Sequence, residues 1–318
     1  MNKHSIILFF TLLFSVGLQA QYHGFGCING LNRIPLSSDV QLKPNSSPST
    51  NLFPMFGKLA KENNRTFPYP FGVSLHSIIY DQGYTASNLF MTSDSNDLVA
   101  RADSLYQSTT AYEMRASIRP NVWLLPFLNV YGIFGYTKGV ISPDLVVPYI
   151  VIENVPIFDS IVVDTTFEIK DDIGYIGPTY GIGATLSIGY KFFFVMADYN
   201  YSVTNPTDLD DNLHNHFFSP KAGLFFGKQE RTLWSFWMGA MYIKNDQAFQ
   251  GRISVADIDE AFVPLFGEEA TYQGKITANE RWNFVFGGAV VINQQHNITI
   301  EAGVFSRKQI SLGYNFSF

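Results

Sequence analysis

From Pro70 onward, apolar and polar positions alternate along most of the chain. That is the period of an extended strand whose two faces meet different surroundings. The clearest run sets Tyr180, Ile182, Ala184, Leu186, Ile188 and Tyr190 against Gly181, Gly183, Thr185, Ser187 and Gly189. Tyrosine closes both ends of this apolar stripe. Phe193, Val195, Ala197, Tyr199 and Tyr201 follow on one face, with Asp198, Asn200 and Ser202 on the other. The last ten residues repeat the pattern, with Ile310, Leu312, Tyr314, Phe316 and Phe318 opposed to Ser311, Gly313, Asn315 and Ser317.

The alternation predicts ten strands, at about 73–84, 112–120, 127–138, 180–190, 193–202, 216–227, 231–243, 280–292, 297–305 and 309–318. The long connections are 85–110, 139–172 and 245–279. Residues 205–215 form a moderate one, and the final turn is very short. Residues 161–169 have room for an additional strand pair. Long and short connections alternate, and an even strand number returns both ends to one side. A transmembrane barrel has this asymmetry and a soluble sandwich does not. No fixed-length repeat points to a propeller or solenoid.

Composition sharpens this picture. Charged residues are 15% of the chain, against roughly 25% in soluble domains, and aromatics are 16%. Beyond the N-terminus no run of about twenty apolar residues would make a spanning helix. Lys3 and the apolar stretch Ser5–Leu18 read as a signal peptide over residues 1–20, with cleavage after Ala20. Residues 21–71 carry Pro35, Pro44, Pro48, Pro54, Pro68 and Pro70, plus a polar tract at 45–51. They are expected to lie in the periplasm or to form a partial plug, with one short helix possible at Leu52–Lys61. The lone Cys27 excludes an intrachain disulfide and a cysteine zinc site. The net charge is −6 with no basic run, so a nucleic-acid partner is not expected.

The chain therefore reads as all-β: an antiparallel transmembrane β-barrel of about ten strands with a short irregular N-terminal segment. Over residues 72–318, in architecture and in its terminal aromatic strand, it resembles Gram-negative outer-membrane β-barrel proteins. In that family the closing aromatics belong to the signal read by the insertion machinery. The resemblance implies this role for Tyr314, Phe316 and Phe318. It also implies the cell outer membrane as location, with outer-membrane lipids and the insertion machinery as partners.

Strand parity sends His76, Glu113, Arg115, Arg119, Asp198, Lys221, Arg281 and Glu301 into the lumen. In a narrow barrel such charges should pair, because unpaired buried charge is costly. We expect a filled network in which Arg115, Arg119 and Arg281 neutralise Glu113, Asp198 and Glu301. A charged pore or binding cleft is the alternative. No cofactor or metal is expected. The glycine pairs such as Gly181 and Gly183 lie in a strand with no helix after it, which excludes a phosphate loop and points to close packing inside the barrel. His76 with Ser77 and His216 with Ser219 have opposite parity, so neither forms a hydrolase pair. Asp208, Asp210, Asp211 and His214 read as a solvated loop, with calcium binding or a catalytic rim as alternatives. Asp257, Asp259 and Glu260 read the same way. The expected function is a non-enzymatic barrel that presents loops or passes a small solute. A barrel-rim hydrolase for lipid or peptide, or a secreted soluble β-protein, are the alternatives.

Overall fold

The computed structural model describes Met55 and residues 69–318, apart from 94–97, 103–105, 154–159, 165, 171, 191, 208–210, 229–231, 246 and 258–259. The signal peptide, Cys27, the Leu52–Lys61 helix apart from Met55, Asp208, Asp210 and Asp259 lie outside the described residues, as does nearly all of 21–71. Ten long strands close into one antiparallel barrel. In chain order they are β1 (Phe71–Ser93), β4 (Thr109–Leu125), β5 (Leu128–Ser142), β10 (Ile173–Tyr190), β11 (Phe193–Thr204), β12 (Leu213–Lys228), β13 (Thr232–Lys244), β16 (Trp282–Ile292), β17 (His296–Val304) and β18 (Arg307–Ser317). Each pairs with its neighbours around the ring, and β18 pairs with β1 to remove the last edge.

Closure is tight at the chain end. Val73 faces Phe316, and the ladder runs to Gln82 opposite Arg307. Phe318 N–H donates to Phe71 O at 2.9 Å, and the two rings stack at 6.4 Å. The ends of β4, β10, β12 and β16 from which the chain passes to the next strand lie at this same end, the short-turn end. Asn293 and Gln294 both take positive φ, 51° and 62°, to make the turn after β16. Met55 N–H also reaches this end and donates to Leu124 O at 2.9 Å.

Facing follows the alternation read from the sequence. Leu75, Ile118, Phe134, Ile182, Phe236, Met238, Phe286, Ile300 and Leu312 are exposed on the outer wall. Tyr190, Phe193, Trp234, Phe316 and Phe318 ring its short-turn end, and Tyr112, Tyr136, Tyr180, Tyr199 and Trp282 lie toward the other. The inner wall is polar. Thr137, Thr179, Ser202, Thr204 and Ser317 are almost fully enclosed there. An apolar outside and a polar, filled inside invert the order of a soluble protein, and lipid as the outer solvent resolves the inversion. β12 is interrupted at one point in its ladder to β13. Pro220 has no N–H to give, and the ladder from β12 to β13 passes over Ser219 and Pro220. The Ser219 hydroxyl takes that place by donating to Ala240 O at 2.9 Å.

The far end differs from expectation. Residues 85–93 were expected in a loop, yet β1 runs straight through them for 23 residues. A transmembrane strand needs only about 9–11. Past Gln82, β1 leaves β18 and pairs with β15 (Glu269–Ala278), with a bulge at Asn88, whose φ is +53°. β15 pairs in turn with β14 (Gln247–Ser254), so the stretch 245–279 holds a hairpin joined by two 3₁₀ turns and a short helix, α1 (Val263–Phe266). On the other side of β1 lie β2 (Val99–Arg101), β7 (Ile150–Glu153) and β8 (Ser160–Val163). β3 (Tyr106–Gln107), β6 (Leu145–Val147) and β9 (Phe167–Ile169) form a small separate sheet. Strands do occur within 161–169, but they do not pair with each other. β8 folds back on β7, and β9 joins β6.

These elements enclose an apolar core. Tyr84, Leu89, Met91, Leu145, Val147, Ile150, Ile152, Val255, Phe262, Phe266 and Ile276 are buried against Ala111, Ile141, Tyr175 and Leu213 from the barrel strand ends. The barrel mouth is thus roofed by a folded β cap.

Candidate functional site: the barrel lumen

Below the cap, most barrel strands send a buried side chain into one layer. From one side comes Arg115. Its Nη2 donates to Glu113 Oε1 at 3.0 Å, Nε to Thr137 Oγ1 at 3.1 Å and Nη1 to Ser202 Oγ on β11 at 2.9 Å. Its guanidinium lies 5.3 Å from the Phe217 ring centroid. Tyr175 OH donates to the second Glu113 oxygen at 2.8 Å. Thr137, Thr179 and Thr204 chain their hydroxyls at 2.6 and 2.8 Å. Glu113 and Arg115 are each only 2% exposed, so this pair is fully desolvated.

From the other side comes Arg307, 1% exposed. Its Nε donates to Gln309 Oε1 at 2.9 Å, Nη1 to Gln82 Oε1 at 3.1 Å and Nη2 to Met241 O at 3.4 Å. Its guanidinium sits 5.8 Å from the Tyr80 ring centroid. Asn283 clamps the Arg307 backbone, donating to its O at 2.7 Å and accepting from its N–H at 3.3 Å. Phe217, Met241, Ile243 and Val285 pack between these two halves.

Beneath this layer lies a cavity of about 250 Å³. On one wall Tyr131 OH contacts Asp198 Oδ1 and Oδ2 at 3.0 and 2.9 Å, while Thr185 and Asn200 donate to the same carboxylate at 2.6 and 3.2 Å. Further round the wall, Lys221 Nζ on β12 meets Glu301 Oε2 on β17 at 2.5 Å, and Trp237 Nε1 donates to that oxygen at 2.7 Å. Arg119 donates Nε to Ser117 Oγ at 3.2 Å, and its Nη2 lies 2.9 Å from His76 Nδ1. Toward the short-turn end, Ser74, Asn121, Asn129, Asn315 and Ser317 bond to one another.

Backbone space explains the inward tyrosines. A Cβ at Gly139 would overlap the Tyr175 ring, and one at Gly183 would overlap Tyr131. The inward glycines are where these rings lie down across the neighbouring strand. Close packing is thus what Gly183 serves, as its context in a strand implied.

Of the eight charged residues expected inside, seven line the lumen. Arg281 is half-buried, just ahead of β16, and is not among the residues around the cavity. The expected pairing needs correction. Glu113 pairs with Arg115, but Glu301 pairs with Lys221, and Arg119 and Asp198 form no ion pair. Three neutral side chains within reach satisfy Asp198, whereas Lys221 lies across from Glu301 on the curved wall. Arg307 and Trp237 were missed. Both share inward parity with residues assigned to the lumen, and that parity was the available signal.

His76 points into the lumen, while Ser77 belongs to the outward parity. His216 lies outside with its Nδ1 3.0 Å from Tyr199 OH, while Ser219 is buried inside. His214 Nδ1 is 2.6 Å from Tyr201 OH, and Asp211 and Glu260 are exposed. Among the described residues no group of three potential ligands could hold a metal ion. The cap carries the exposed pairs Arg101–Glu153, Lys170–Glu168 and Arg252–Glu269, a type that contributes little to stability.

No family model matches the chain, and no curated protein matches it in sequence. Solved structures do. An outer membrane channel from Pseudomonas putida F1 is 12% identical over 78% of this chain and 96% of its own, with a TM-score of 0.29. The toluene transporter TbuX of Ralstonia pickettii is 8% identical over 79% and 90%, with a TM-score of 0.33. The β domain of the Bordetella autotransporter BrkA is 8% identical over 78% and 100%, with a TM-score of 0.30. At these identities and scores the likenesses carry no argument about what this chain does. The closed ladder, the apolar outer wall and the aromatic ends of that wall stand on the chain's own geometry, and they are those of a ten-stranded outer-membrane β-barrel.

Proposed function

We propose that this protein sits in the outer membrane as a non-enzymatic barrel whose task is to hold a folded β cap on the outer face. The carrying observation is the pair of buried layers across the lumen. The Arg115–Arg307 layer is almost wholly enclosed, and the apolar core of the cap lies above it. By the rule that short turns face the periplasm, the cap lies outside the cell. Its construction from strand extensions suits the presentation of a rigid surface better than the gating of a pore. Insertion would use the terminal aromatics Tyr314, Phe316 and Phe318, and the partners of the outer wall would be lipids.

The test has two arms. Fractionated cells should yield the protein with outer membranes, and recovery in the soluble periplasm would sink the location. Purified protein in a planar bilayer should show no steady conductance. A second reading, passage of a small solute, is favoured by the 250 Å³ cavity. A stable, ion-selective conductance in the native protein would promote it.

A further inference from the structure

Arg119 is a cavity cation that no carboxylate contacts among the described residues, although Asp198 acts on it from across Tyr131. Arg115 has Glu113 and Lys221 has Glu301, whereas Arg119 lies in no ion pair among the described residues. A guanidinium carries five N–H donors. Arg119 directs Nε at Ser117 and Nη2 at His76, and its flat face lies 5.5 Å from the Tyr131 ring centroid. The remaining donors have no acceptor among the described residues. Asp198 stands at the far end of Tyr131, but hydroxyl and amide donors already engage its oxygens. Arg119 is half-buried and Asp198 offsets part of its charge, so what the free edge of its fork lacks is acceptors, and an oxyanion would supply them.

A second observation points to the same space. Asn297 lines the cavity at 6% exposure, and its amide oxygen has no hydrogen-bond partner. It shares one ladder row with Asn315, Ser74 and Arg119. An orphaned amide oxygen calls for a hydrogen-bond donor, which the hydroxyl of a hydroxy acid or of a protonated phosphate would supply. The volume sits below the roughly 300–1,000 Å³ typical of drug-sized ligands, so the occupant is the size of a small metabolite.

We propose that the lumen cavity is a binding site for a small oxyanion-bearing solute, with its carboxylate or phosphate group seated on Arg119. This rests on the cavity alone and holds whether or not the barrel conducts.

The fold supplies its own reporter. Trp123 and Trp237 line the cavity, while Trp234 and Trp282 lie on the outer wall. The folded protein in detergent is titrated with malate, and separately with inorganic phosphate, at ionic strength held constant with sodium chloride. Tryptophan emission is read throughout. The expected result is a saturable change with at least one of them, and the one that saturates at lower concentration identifies the anion chemistry. Arg119→Gln should weaken that response at least about tenfold, while Lys308→Gln on the exposed outer face should leave it unchanged. Gel mobility before and after boiling reports folding. Should Arg119→Gln not fold, Arg119→Lys decides, because it keeps the charge and loses the planar fork. Weakening of about tenfold supports the site, and unchanged affinity overturns it. No saturable response to either anion in the native protein also overturns it, as does one that Arg119→Gln leaves intact.

Discussion

At the scale of single residues, burial decides which charges matter. Glu113 and Arg115 are each 2% exposed, so removing one strands the other in a dry layer. Glu113→Ala should destabilise the barrel by about 3–5 kcal/mol in a urea titration, and Tyr175 loses its acceptor as well. Arg101→Ala removes one half of an exposed pair and should change stability by no more than about 1 kcal/mol. Equal losses would mean that water reaches the Glu113 layer. Gly139→Ala tests the same carboxylate from behind. Its methyl would displace Tyr175 from above Glu113, an overpacking that should cost about 1–3 kcal/mol in the same titration. Full stability in this variant would refute the close fit. The sequence made Glu113 and Arg115 legible because period two allows only two faces. It did not reveal Lys221 with Glu301, because partners across a closed wall are chosen by curvature and register. Arg307 was hidden because it stands two residues ahead of the run from Gln309, beside the turn residue Ser306.

At the scale of elements, a strand is readable where its two faces meet contrasting solvents. β10 lies between lipid-type and polar surroundings, and its alternation was the cleanest in the chain. Leu186 lies on its outer face between Tyr180 and Tyr190. Leu186→Arg should therefore destabilise by about 2–4 kcal/mol when the protein unfolds from a bilayer. Tolerance equal to that of Lys308→Gln would refute the lipid-facing assignment. The upper half of β1 was misread for the converse reason. Beyond Gln82 its outer face no longer meets lipid. Thr85, Ser87, Asn88, Thr92 and Ser93 then resemble a loop, although Ala86, Leu89 and Met91 pack into the cap. The β14–β15 hairpin was obscured likewise, since its pairing with β1 is remote in sequence. Replacing 247–278 with a short linker should leave the ten-strand ladder intact, because none of its pairings uses the hairpin. Amide exchange should then rise at 84–93, which loses its β15 partner, and stay low at 72–82, which keeps β18. Exchange rising equally over both halves of β1 would show that the cap and barrel fold as one unit.

At the scale of the whole molecule, the proposed reading puts two closures in series, and a series arrangement makes a distinctive prediction. The cap brings an apolar core over the mouth, and the Arg115–Arg307 layer is buried beneath it. Removing either barrier alone leaves the other. The hairpin deletion should therefore remain non-conducting in a planar bilayer. So should the double substitution Glu113→Ser with Arg115→Ser, which removes both charges together and so leaves none orphaned. Only their combination should give a steady ion current, because water could then run from the cavity around Arg119 to the outer face. Gel mobility before and after boiling must show each variant folded for its current to count. A steady current after hairpin deletion alone would mean that the lumen layer does not seal, and the loop-presenting reading would give way to a gated passage. A combined variant that is folded and still silent would mean that the lumen is also sealed below the cavity, at the short-turn end where Met55 meets Leu124.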